Sequence, residues 1–113
     1  MQLVYKISPQ DEWDRARDSG IFRGAPVDLA DGFIHFSTGE QVAETARRHF
    51  AGQDGVVLAA IDAAALGDAL RWEPSRGGEL FPHLYGDLPM EAVVWTRPMP
   101  LGEGGVHRLP FDA

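Results

Sequence analysis

Val56-Val57-Leu58-Ala59-Ala60-Ile61 is a run of six apolar residues with no polar side. A strand with one wet face alternates apolar and polar positions, so a run without alternation implies a strand covered on both faces. It is the natural central strand. Upstream, Val42, Ala43, Ala46 and Phe50 are spaced as one buried stripe of a helix from about Glu40 to Phe50. Either Thr38 with Gln41 or Ser37 with Glu40 supplies a capping box at its start. Before that helix, Asp31-Gly32 reads as a turn leading into the strand Phe33-Ile34-His35-Phe36-Ser37, with Ile34 and Phe36 on one face and Phe33, His35 and Ser37 on the other.

At the N-terminal side, residues 3–7 alternate and form a strand, after which Ser8 caps a helix with Pro9 in its first turn. Trp13, Ala16 and Arg17 share one side of that helix, Ser19-Gly20 stops it, and residues 21–30 read as an irregular connection. Downstream of the central run, Asp62 caps a short helical turn through residues 63–66. Residues 70–73 resume extended structure, and residues 74–78 form a loop between two short strands. Residues 80–86 are expected to be extended but irregular because of Pro82, Gly86 and Pro89. Residues 90–96 read as a strand with Val93 and Trp95 opposite Ala92 and Val94, and the proline- and glycine-rich tail as an irregular cover. Mixed short strands and helices without a linker specify one α+β domain over residues 1–113.

A chain of 113 residues is long enough to bury roughly two-thirds of its unfolded surface around one core. Seventeen acidic against ten basic residues give a net charge of -7, which opposes non-specific nucleic-acid binding, since that affinity comes from neutralising many phosphates. Nine of the ten basic residues are arginines, whose forks can hold a small anionic molecule even on an acidic protein. The absence of cysteine removes thiol nucleophiles, thiolate zinc sites and disulfides, and suits a reducing compartment. No stretch approaches the roughly 18 apolar residues of a membrane span, and the start lacks a secretory pattern, so a cytoplasmic location is expected. Oligomeric state is not readable.

Four histidines offer proton chemistry. His49 near a helix end and His107 in the tail have ordinary structural explanations. His35 stands mid-strand between Ile34 and Phe36, where a polar ring serves either a pocket or a hydrogen-bonded core position. His83 and Tyr85, two apart in an extended segment, can point the same way. Glu73 and Glu79 flank the loop of residues 74–78, and either Arg71 or Arg76 is a candidate anion grip beside them. Phosphate-loop, dinucleotide, zinc-protease and serine-elbow motifs are absent, and the scattered histidines make a preformed metal site unexpected.

The blocks Asp31-Gly32-Phe33-Ile34-His35-Phe36-Ser37-Thr38, Arg71-Trp72-Glu73 and Phe81-Pro82-His83-Leu84-Tyr85-Gly86 resemble the bacterial domain-of-unknown-function family nine-fifty-two. The resemblance implies an ADP-ribosyltransferase-like fold, a split and mostly antiparallel sheet clasping a cleft for nicotinamide adenine dinucleotide (NAD). It implies a nucleotide or other phosphate-bearing ligand, with ADP-ribosyl or phosphoryl transfer as the reaction. His35 and His83 would contact ribose or phosphate, and Ser37, Thr38, Arg76 and Tyr85 would bind ligand, Tyr85 by stacking on a ring. Glu73, Glu79 and Glu91 are the candidates for a catalytic acid, with Glu73 grouped with the two histidines. The competing expectation is a non-catalytic binding or interaction module in which the histidines only stabilise loops.

Overall fold

The computed structural model describes residues 1–110, with only the backbone of Arg76. The apolar run forms β4 (Val56–Asp62), the middle strand of an antiparallel sheet between β1 (Leu3–Pro9) and β8 (Val93–Pro98). All six residues of the run are buried. The two faces enter different clusters. Val57, Ala59 and Ile61 join Val4, Trp13, Phe22, Ile34 and Leu84; Val56 and Leu58 join Ile7, Val42, Ala46 and Met99. Two cores on opposite faces are the physical reason that the strand carries no polar side.

α1 (Gln10–Ser19) ends at Gly20, whose φ of 92° lies in the left-handed region that glycine adopts without a Cβ clash. It buries Trp13 and Ala16 but leaves Arg17 exposed, and the Trp13 Nε1–H donates to Thr96 Oγ1 at 3.1 Å. Ser8 does not cap this helix: β1 runs on through Pro9, and the Ser8 hydroxyl donates to the Pro9 carbonyl. Residues 21–30 are not irregular either. They hold β2 (Ile21–Phe22) and most of α2 (Pro26–Asp31).

The strand expected at residues 33–37 shortens to β3 (Ile34–His35), with Ser37 bridged to Tyr5. α3 (Val42–His49) follows; its entry is closed by the Gln41 side chain, which accepts from the Thr38 N–H at 3.0 Å. Asp62 caps the next 3-10 turn through the Ala64 N–H. β5 (Leu70–Ser75) and β6 (Glu79–Leu84) then pair across the loop, and the second sheet runs β3-β6-β5. β6 is a regular middle strand despite Pro82. The Pro82 carbonyl accepts from the Phe36 N–H at 3.0 Å, beyond the end of β3, so the missing proline N–H falls where that ladder stops.

β7 (Leu88–Pro89) pairs with β2, and residues 90–92 are a 3-10 turn, so β8 begins later than the sequence pattern suggests. A register shift opposite Ala60 and Ile61 leaves Val94 out of the ladder and places Val93 and Trp95 against different cores, not on one face. The tail packs by Met99 and by His107, whose Nε2 lies 2.7 Å from the Gln53 carbonyl oxygen. The whole is an α+β architecture of antiparallel sheets and few helices. Among the described residues, no helix is long and apolar enough to cross a membrane.

Candidate functional site

β3 and β6 bring the two histidines together as direct cross-strand partners. Their ring centroids lie 5.4 Å apart at 68°. Phe33, just before β3, stacks on His83 with centroids 4.2 Å apart and touches the rings of His35 and Tyr85. The strand face read from the sequence, with Phe33 and His35 together, therefore forms one aromatic cluster.

Each histidine is held by a carboxylate. His83, 5% exposed, has Nδ1 2.8 Å from Glu73 Oε1, and the Tyr85 hydroxyl donates to that same oxygen at 2.7 Å. The Tyr85 hydrogen bond, then that of His83, holds the Glu73 carboxyl below its usual range; the same Glu73 contact, aided by burial, pushes the Tyr85 phenol up. Arg71 covers the Tyr85 ring at 4.8 Å. No other bond engages His83 Nε2 among the described residues, and His83 is one of the residues that line a cleft.

His35 is held on both sides. Its Nδ1 lies 2.6 Å from Asp28 Oδ1 and its Nε2 2.9 Å from Asp31 Oδ2. Only the Asp28 contact has hydrogen-bond geometry; the Asp31 carboxylate lies at ion-pair distance without that alignment. Asp28 is 1% exposed and also accepts from Lys6 Nζ at 2.9 Å, the Ala25 N–H and the His35 N–H. Burial would push the Asp28 carboxyl up, but His35, Lys6 and the Ala25 N–H outweigh it and hold it at about 2. Burial in turn lowers the Lys6 ammonium, with Asp28 opposing. Lys6 completes its bonds at the His35 carbonyl.

The cleft encloses about 820 Å³ and is walled by His35, His83, Asp31, Phe36, Phe81 and Arg48, among others. Ser37 also borders it, although its hydroxyl is shared with Thr45 at 3.0 Å. Thr38 and Tyr85 are outside its wall: Thr38 closes the α3 entry, and Tyr85 has Phe33 and Arg71 against its ring. The Arg76 side chain lies outside the described residues. Glu73 is the one of the three candidate acids at a histidine; Glu79 accepts from Gln41, and Glu91 sits exposed in the 3-10 turn before β8. Sequence reasoning missed Lys6, Asp28 and Asp31. Its available signal was Lys6, the only lysine, in register with buried Val4. Among the described residues, no group of His, Asp or Glu is arranged to hold a metal ion.

The chain matches, over residues 7–96, the family model described as Protein of unknown function (DUF952), and it belongs to that family. It is similar to protein CC0527 from Caulobacter crescentus. The X-ray crystal structure of that protein is 50% identical, with 94% of this chain and 93% of that chain covered and a TM-score of 0.91. Its solution NMR structure is 51% identical, with 94% and 91% covered and a TM-score of 0.84. No curated protein matches the chain.

Proposed function

We propose that this member of the DUF952 family binds a nucleotide or another phosphate-bearing small molecule in the cleft, and that His83 moves a proton on it. One observation carries the reading: Glu73 fixes His83 through Nδ1 in the wall of the cleft, and Nε2 has no hydrogen-bond partner among the described residues. A carboxylate on one imidazole nitrogen keeps the hydrogen there and presents the other nitrogen as a base. The volume of about 820 Å³ falls within the range of small-molecule sites, roughly 300–1,000 Å³. Tyr5, Phe36, Phe50 and Phe81 are among its lining residues, as is the cationic Arg48. In the ADP-ribosyltransferase-like form of this reading the ligand is NAD. The glycosidic C–N bond breaks, nicotinamide leaves, the acceptor oxygen bonds to the ribose carbon, and His83 takes the acceptor proton.

A non-catalytic binding module is the second reading, favoured by the engagement of both His35 nitrogens with carboxylates. A thermal-shift screen over NAD, nucleoside phosphates, sugar phosphates and glutathione tests binding. A ligand at a hundred times its dissociation constant should stabilise by about 2.7 kcal/mol. His83→Asn and Glu73→Gln should weaken that shift, and Glu73→Gln should lower turnover more than binding. Nicotinamide release from NAD by the wild type, lost in both variants, supports transfer. Binding without turnover favours the module; no shift by any compound overturns the proposal.

A further inference from the structure

α2 is attached to the rest of the protein by charge. Asp28 is its only buried residue, while Val27 and Leu29 are 58% and 66% exposed. The helix forms part of the cleft wall through Pro26, Val27 and Asp31. Its two carboxylates grip His35 unequally. Asp28, at 1% exposure, is fixed by Lys6, by the Ala25 N–H and by both the ring and the N–H of His35. The Asp31 side chain is 47% exposed, and His35 Nε2 at 2.9 Å is its one polar contact among the described residues.

We propose that Asp31 is a built-in stand-in for an anionic ligand: its carboxylate occupies the position on His35 Nε2 that a phosphate oxygen takes when ligand enters, and binding displaces it. This rests on the reading of the cleft as a phosphate-binding site. A phosphate oxygen, like a carboxylate oxygen, is an anionic acceptor for an imidazole N–H, so it can compete with the poorly aligned Asp31 carboxylate for that nitrogen. Asp28 keeps the ring oriented through Nδ1 during the exchange, because nothing in the exchange touches that bond. The displaced contact is half solvated, and exposed ion pairs are weak, so Asp31 sets the affinity without closing the site. Asp31 is the last residue of α2, and its side chain lies at the solvent-exposed end of the helix beside the Gly32 cap.

The test is a calorimetric titration of the full chain with inorganic pyrophosphate, with the His35 ring followed by NMR. Asp31→Ala should bind pyrophosphate roughly three- to fivefold more tightly than the wild type, from the exposed-pair range of interaction energies. Asp31→Asn should fall between them. The His35 ring signals should move on binding in every form. Asp18→Ala, which removes an equal charge from exposed α1, should leave the affinity unchanged. Asp31→Ala binding no tighter than a wild type that does bind overturns the stand-in role and leaves the cleft reading intact. An equal gain in Asp18→Ala reduces the effect to net charge and also overturns it. Failure of every form to bind pyrophosphate or any nucleotide overturns both.

Discussion

His35 and His83 stand opposite each other in the β3–β6 ladder, yet they lean on carboxylates of different exposure: Asp28 is buried and Glu73 is partly exposed. The pair is therefore close in space and unequal in what it supports. His35→Asn should destabilise the fold by about 1–3 kcal/mol, the usual cost of leaving a buried acceptor short of a partner. His83→Asn should cost less. Urea unfolding of the two variants measures the order, and a larger loss from His83→Asn would show that the Phe33–His83 stack outweighs the Asp28 contact.

Lys6 and Asp28 are a buried ion pair, and removing one partner strands the other charge away from water. Lys6→Met and Asp28→Asn should each lower stability by about 3–5 kcal/mol. Denaturant midpoints, with the slope checked for constancy, test this; a loss under about 1 kcal/mol in both would mean that water reaches the pair.

Acid should act on the same pair. Folding depresses the Asp28 carboxyl from 3.8 to about 2, so between these values the unfolded chain binds more protons than the folded one. The resulting stability, on the order of 2 kcal/mol, is present in full above about pH 4 and is lost as pH falls through about 2. A stability–pH profile of the wild type should slope steeply in that window. Asp28→Asn should flatten it.

The Tyr85 hydroxyl is the largest influence lowering the Glu73 carboxyl. Tyr85→Phe should move the Glu73 titration upward toward the ordinary glutamate range while His83 keeps its Nδ1 contact. Carboxyl carbon chemical shifts followed against pH read this directly; an unchanged titration would mean that the hydroxyl is bonded to water in solution.

Leu58 is fully buried in β4 against Val42, Ala46 and Met99. Leu58→Ala should cost about 2–5 kcal/mol through lost contacts and the cavity left behind. Amides of residues 56–61 should exchange more slowly than those of the tail. Equal rates would refute the central placement of β4.

β4 was legible throughout and α3 in part: composition and burial agree at residues 56–61 and at Val42 and Ala46, but Ala43 of the expected stripe is exposed and the helix runs only from Val42 to His49. A strand between two cores is apolar throughout, and a helix with one buried face shows its stripe. The meeting of His35 with His83 was half legible, as each stood in an extended segment but their pairing is set by register across a separation of 48 positions. α2 was not legible because it inverts the usual pattern: its apolar Val27 and Leu29 face outward, and the residue it buries is Asp28, whose partner Lys6 is 22 positions away. Regular pairing in β6 was hidden by Pro82, whose missing donor matters only where a neighbour would accept it. The 3-10 turn at residues 90–92 and the shift at Val94 leave no mark in an alternating apolar run.

Lys6 is the only lysine in the sequence, and it is shut inside with its ammonium committed to Asp28 and His35. The folded surface therefore offers no lysine amine to acetylation, ubiquitin attachment or amine-coupling reagents. Any such mark on this side chain would require the β1–α2 junction to open first, so acylation of Lys6 under native conditions reports that opening as a rate.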